Sequence, residues 1–351
     1  MAQRARCEPA PPTPNGKKPV NLALQGGGSH GAFTWGVLDK FLEDDRVSVE
    51  AISGTSAGAM NAVVVADGLM RGGPAGAREA LGSFWRAVSR AARTSPLRRS
   101  CWDVMTGNWN LDHSPAYLGM DLLSRMASPY DLNPLNLNPL RDLLLSQVDF
   151  DRVRSCNRVK LFISATRVRD GKVTVFDRTH LDADRVMASA CLPYLFQAVE
   201  VDGEAYWDGG YMGNPALYPF AYRCTSSDVI IVQINPLCCR ETPRTAREIL
   251  NRVNEITFNG SLLKELRAIE FVTRLLDEGA LDPNRYKRMR IHMVSAESAL
   301  GPLNASSKLN AEWDFLLHLH DIGWRTAADW LDRHYDRLGT ASTVDLRSLI
   351  D

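Results

Sequence analysis

Val49-Glu50-Ala51-Ile52-Ser53-Gly54-Thr55-Ser56-Ala57-Gly58 is the stretch on which the architecture turns. Residues 49–53 read as a short buried strand, and the mostly apolar run 57–69 reads as a helix that Gly72-Gly73-Pro74 stops. Between them, Gly54-Thr55-Ser56-Ala57-Gly58 matches G-x-S-x-G. A serine on so sharp a strand-to-helix turn is held in a strained backbone conformation that projects its hydroxyl outward. Side chains at the flanking glycines would clash with the turn. The helix that follows directs its positive dipole end at any negative charge developing there.

Upstream, residues 20–24 form another apolar strand, ending on Gly26-Gly27-Gly28-Ser29-His30-Gly31. Apolar residues at 33, 37, 38, 41 and 42 then give a helical period, closed by Asp44-Asp45-Arg46. Strand, glycine turn, helix, repeated twice, is the grammar of a parallel α/β sheet. The triple-glycine turn can aim several N–H groups at one point beside a helix start, which makes an anion site. Two uses compete for it. In an ester hydrolase the anion is the tetrahedral oxyanion. Alternatively, these residues satisfy G-x-G-x-x-G, and Glu50 lies about where a ribose-binding acid is expected. A second glycine elbow with a serine just after that acid favours the oxyanion.

Downstream, residues 80–150 carry Trp85, Trp102, Trp109 and the proline-punctuated 133–139, and read as helices and loops inserted over the sheet. Strands return at 160–165, 172–176 and 199–206, the latter two with turns at Asp170-Gly171 and Asp202-Gly203. The β-branched run 229–234 suits a fully buried parallel strand. One or two long helices follow over 244–278, a late strand over 290–294 and a last helix over 312–333. Asp208-Gly209-Gly210 closes the 199–207 strand; in isolation an aspartate before two glycines is a turn former.

The triple-glycine turn, the Gly54–Gly58 elbow and the distant Asp-Gly-Gly together resemble the three motifs of the patatin-like phospholipases. Ser189-Ala190-Cys191-Leu192-Pro193 and the Asn133 to Leu140 segment also look like parts of bacterial members. The resemblance implies a three-layer α/β/α sandwich with a mostly parallel central sheet, and hydrolysis of acyl esters in lipids. It implies a dyad without histidine: Ser56 as nucleophile, Asp208 as base, the Gly26, Gly27, Gly28 and Ser29 turn as oxyanion hole. Gly31, Gly54, Gly58, Gly209 and Gly210 are then motif glycines. One departure stands out: His30 occupies the place where the family pattern has Arg or Lys. A triad in which His30 serves Ser56 stays open. Burial against neighbours such as Tyr206 and Trp207 is the expected means of raising the pKa of Asp208 for base chemistry. The rival reading is a nucleotide-binding α/β regulator or inactive scaffold.

Composition sets the outer limits. The 351 residues are 45% hydrophobic and 23% charged, with 41 basic against 41 acidic side chains. No global field draws the chain to nucleic acid. No apolar run reaches the ~18–20 residues of a membrane span. Residues 1–19, rich in proline and lacking an apolar h-region, read as a disordered leader rather than a signal peptide. The expected organisation is that leader, a catalytic core over 20–240 with 80–150 as a lid, and a mainly helical extension over 241–351. Seven scattered cysteines favour free thiols and a cytoplasmic setting, with Cys238-Cys239 packed inside. Neither metal nor cofactor is expected, since the histidines share no ligand spacing. The expected partner is a lipid, with peripheral membrane contact through the Arg86, Arg90, Arg93 stripe.

Overall fold

The computed structural model describes residues 16–239 and 241–350. The chain alternates strands and helices: β1 Lys18–Leu24, α1 Gly31–Glu43, β2 Val47–Gly54, α2 Ala57–Ala91. Five short helices follow: α3 Cys101–Met105, α4 Pro115–Met126, α5 Pro129–Leu132, α6 Pro139–Gln147 and α7 Phe150–Ser155. Then come β3 Lys160–Arg167, β4 Val173–Asp177, α8 Ala183–Ser189, β5 Val199–Val201, β6 Glu204–Asp208, α9 Tyr218–Arg223 and β7 Asp228–Gln233. The rest is α10 Ala246–Asp277, β8 Arg290–Ser295, α11 Glu297–Leu300, α12 Trp313–His334 and α13 Leu346–Ile350.

All eight strands share one sheet, in which β3-β2-β1-β7-β8 run parallel and β4, β5 and β6 are antiparallel additions. Side-chain alternation along each strand separates two cores. Val20, Leu22 and Leu24 of β1 pack with α1, α2 and α12, whereas Ala23, Val229 and Ile231 pack with α9 and α10. Helices therefore cover both faces, giving the expected α/β/α sandwich. The region after 240 is mainly helical, and it also supplies the edge strand β8 and a helix to each face. No helix among the described residues is long and apolar enough to cross a membrane.

Several local expectations need correction. β1 starts at Lys18, inside the segment read as leader; residues 1–15, including Cys7, lie outside the described residues. The Gly72-Gly73-Pro74 stop is a break rather than an end: Gly73 has φ 63°, and the helix resumes to Ala91. Residues up to 91 thus belong to the core, with Phe84 and Trp85 buried and the Trp85 indole N–H donating to Asn61 Oδ1 at 3.0 Å. α6 and α7 also pack on α2, so the exposed part of the insertion is about 101–138. Residues 246–277 form one uninterrupted helix, opened by a Thr245/Glu248 capping box. Cys238 and Cys239 are exposed, not packed, because the chain has already left the sheet after β7.

Candidate active site

The elbow forms where β2 ends. Ser56 has φ 53° and ψ −119°, outside the ordinary regions for a residue with a side chain, and α2 begins at Ala57. Surrounding bonds hold this strained turn. The Ser56 N–H donates to Ser189 Oγ at 2.9 Å, Thr55 N–H to the Leu24 carbonyl at 3.2 Å, and Thr55 Oγ1 to the Gly213 carbonyl at 2.6 Å. The helix folds back so tightly that a Cβ on Gly58 would lie 2.3 Å from the Leu24 carbonyl oxygen, and one on Gly54 2.6 Å from that of Gly58.

β1 and β2 are neighbours with Leu24 opposite Gly54, so the glycine turn leaves the sheet beside the elbow. A Cβ on Gly26 would sit 2.8 Å from that of Ser56. Gly28, with φ 57°, begins a single 3-10 turn through His30 that leads into α1 at Gly31. The amides of Gly27, Gly28 and Ser29 have no acceptor among the described residues, as at a helix start. Gly26 differs from the expected set: its N–H is already taken by Asn214 Oδ1 at 2.7 Å, so it shapes the turn and offers no donor.

Asp208 is the last residue of β6. β2 leaves β3 after the Gly54–Ile163 pair, and Asp208 lies opposite Ala165, two residues further on. β4 occupies the other edge of β3 over 162–166, so β6 takes the edge that β2 vacates at the elbow. Ser56, two residues past Gly54, and Asp208 thereby reach one place from segments 152 positions apart in sequence (208 − 56). The Asp208 carboxylate is wholly buried. Burial raises its pKa to about 7, against the opposing pull of the Gly210 N–H, the Ser56 hydroxyl and the Lys308 charge. Oδ1 accepts the Gly210 N–H at 2.7 Å. Ser56 approaches closely enough to favour the ionised form, but no hydrogen bond closes, and Oδ2 is without a partner among the described residues. Such bonds commonly tighten only with substrate bound.

The burial that raises the Asp208 pKa does not come from Trp207. Trp207 points to the opposite face from Asp208, as strand alternation requires, and Tyr206 packs edge-on against Phe176. Gly209 and Gly210 are tight spots: added Cβ atoms would lie 2.1 Å from the Ser164 carbonyl oxygen and 2.3 Å from the Phe258 ring.

His30 is buried, and its Nε2 pairs with Ser307 Oγ at 2.9 Å rather than with Ser56. Burial, reinforced by Lys308, lowers its pKa to about 3, so the ring is neutral. Glu50 is also accounted for. Its carboxylate accepts the N–H groups of Thr225 and Ser226 and meets Lys160, away from the glycine turn, so it is not placed to hold a ribose there.

Ser189, Asn214, Asn235 and Lys308 belong to the surroundings of the site without having been singled out for it by their sequence patterns. Asn235 precedes a proline just past the end of the parallel strand β7, which is a usable signal: loops at the carboxyl ends of parallel strands build sites; Asn214 precedes one in the loop after the antiparallel β6. Lys308 had no local signal. Beside the Asp208 loop lies a largely apolar groove of about 660 Å³, lined by Met126, Pro129, Tyr194, Trp207 and Met212 among others; Ser56 is not in its wall.

VipD from Legionella pneumophila is similar over 87% of this chain and 67% of its own, at 16% identity and a TM-score of 0.35. Full-length ExoU, solved with full-length SpcU from the type III secretion system of Pseudomonas aeruginosa, is similar over 95% and 66%, at 16% identity and a TM-score of 0.28. The chain therefore spans about two thirds of the length of each. No curated protein matches it by sequence. The model of the patatin-like phospholipase family matches residues 22–221, more than half of the chain, and takes in the glycine turn, the elbow and Asp208: the chain belongs to the patatin-like phospholipase family.

Proposed function

We propose that this protein hydrolyses acyl esters of lipids through a Ser56–Asp208 dyad, with the amides of Gly27, Gly28 and Ser29 as oxyanion hole. The observation that carries this reading is the meeting of a strained Ser56 at the elbow with a buried carboxylate whose pKa lies about 7. An ordinary aspartate is too weak a base for a serine hydroxyl near neutral pH. One raised by burial is matched to the task.

In the proposed reaction Ser56 Oγ attacks the ester carbonyl carbon while its proton passes to Asp208. The carbonyl oxygen becomes the oxyanion and is met by the free amides of the glycine turn and by the dipole of α1. Collapse breaks the bond to the alcohol, which leaves with the proton from Asp208. A water molecule then attacks the acyl-serine, giving its proton to Asp208. Collapse releases the fatty acid and returns the proton to Ser56 Oγ. The groove beside Tyr211 and Met212 is suited by its apolar lining to an acyl chain.

Contact with a lipid surface is proposed at residues 101–138 rather than at the arginine stripe alone. α4 buries none of its residues, and Met105, Met126 and Leu135 are more than three-quarters exposed. Exposed apolar area of that extent marks an interaction surface. A fluorophosphonate probe tests the core assignment: covalent labelling at Ser56, absent in Ser56→Ala, is expected. Failure of the folded wild type both to label and to hydrolyse any of a panel of lipid esters would overturn it.

A further inference from the structure

We propose that Lys308 is the charged positioning residue of this site: its ammonium keeps Asp208 in its working ionised form and, through Asn235, braces the glycine turn. The inference rests on the Ser56–Asp208 reading above and adds to it a residue from the region beyond the family match.

Lys308 lies in a 3-10 turn, Ser306–Leu309, that packs directly on the glycine turn. Ser307 holds His30, and the Lys308 carbonyl oxygen fills the space a Cβ on Gly28 would need, at 2.4 Å. The Lys308 ammonium donates to Asn235 Oδ1 at 2.8 Å, and Asn235 Nδ2 donates in turn to the Gly26 carbonyl at 2.8 Å. With Asn214 on the Gly26 N–H, both polar groups of that glycine are fixed. On its other side the ammonium lies 5.5 Å from the centre of the Phe258 ring, and that ring abuts Gly210 in the Asp208 loop. Lys308 therefore spans the two halves of the site.

Its charge has little else to do. An ammonium has three donors, Asn235 takes one, and no carboxylate lies within ion-pair distance among the described residues. Burying a cation without an ion-pair partner is costly, so charge further off must compensate. The groups facing it are His30, which is neutral, and the carboxylates of Glu255 and Asp208. Glu255 is already paired with Arg252 at 2.9 Å. The groups facing Asp208 are Ser56, Cys191, Tyr211 and Lys308, of which Lys308 alone is a cation. The effects are mutual: burial lowers Lys308 to about 8 while Glu255 and, after it, Asp208 hold it up, and Lys308 in turn restrains the rise of Asp208. When Asp208 takes the Ser56 proton, negative charge passes to the oxyanion at the glycine turn. A cation lodged between the two serves both positions of that charge.

The test compares wild type with Lys308→Gln, Lys308→Met and Lys308→Arg, following kcat/KM on a short p-nitrophenyl ester from pH 5 to 9. Fluorophosphonate labelling and thermal unfolding are measured alongside. Gln retains a donor for Asn235 and removes only the charge, so it reports even if Met proves too unstable. The acid limb of Lys308→Gln should move up by roughly half a pH unit or more, with about a threefold loss or more near pH 6. Lys308→Arg should keep the wild-type limb. A folded Lys308→Gln that labels at Ser56 with its acid limb unmoved would overturn the assignment, as would an arginine variant shifted as far as glutamine. A wild type that neither labels nor turns over the ester would instead remove the hydrolase reading, and this inference with it.

Discussion

His30 Nε2 is bonded to Ser307 Oγ at 2.9 Å, across 277 positions of sequence, so the one histidine of the glycine turn is engaged with the C-terminal region rather than bonded to Ser56. Its ring is neutral, buried and edge-on to Phe315 at 6.2 Å. A histidine so placed ties the turn to the C-terminal region. The proposed base chemistry then falls to Asp208.

Ser56→Ala and Asp208→Asn should therefore each lower kcat/KM on a soluble ester by orders of magnitude, whereas His30→Ala should keep substantial turnover while losing some stability. Steady-state kinetics with thermal unfolding of each variant checks this. More than about a tenth of wild-type activity in Ser56→Ala would end the nucleophile assignment. A folded His30→Ala as inactive as Ser56→Ala would establish a histidine-dependent triad instead.

Asp208 also predicts a pH dependence of stability. Its folded value, about 7, lies above its ordinary value of 3.8, so between those limits the folded state holds a proton that the unfolded state has released. Its contribution to stability is present below about pH 4 and is lost as pH rises towards 7. Asp208→Asn keeps an acceptor for the Gly210 N–H and removes the titration. It should exceed wild type in stability at pH 8, by on the order of 1–4 kcal/mol, with the gap closing towards pH 4. Urea unfolding at the two pH values measures it. An equal or larger gap at pH 4 contradicts the argument.

Gly28→Ala should be among the most damaging single changes. Its φ of 57° costs a side-chain residue about 1–2 kcal/mol, and the new Cβ would meet the Lys308 carbonyl at 2.4 Å, where only backbone movement gives relief. Loss of activity with a drop in stability above about 2 kcal/mol is expected. Gly82→Ala is the control: it lies inside helix α2, its Cβ has ordinary contact with Trp35 at 3.8 Å, and it should stabilise by about 0.5–1 kcal/mol. Similar effects at both positions would refute the account of the turn.

The surface prediction separates charge from apolar area. Arg86 lies over the Trp313 ring at 5.1 Å, so reversing it disturbs packing as well as charge. Arg90→Glu with Arg93→Glu is the cleaner test of the stripe. Leu135→Asp with Met105→Asp tests the exposed apolar face. Hydrolysis of phospholipid vesicles should fall more for the second pair than the first, with a short ester turned over normally by both. Greater dependence on the arginines, weakened by salt, would return membrane contact to the stripe.

The elements were legible in the chain because their causes are local. Gly54-Thr55-Ser56-Ala57-Gly58 fits one sharp strand-to-helix turn. The β-branched run of β7 suits a strand buried on both faces, and the break at Gly72-Gly73 follows from backbone freedom. The family resemblance in turn pointed to Asp208, which as a residue type before two glycines read only as a turn former. What only tertiary structure decided was which groups meet. The antiparallel return of β6 onto the edge of β3 brings Asp208 to Ser56 and buries it. Packing of residues 306–309 on the glycine turn occupies His30 and sets Lys308 beside the site, and Asn214 removes Gly26 from the donors. Burial and long-range hydrogen bonds depend on where distant segments come to rest, and the periodicity of any one segment carries no record of that.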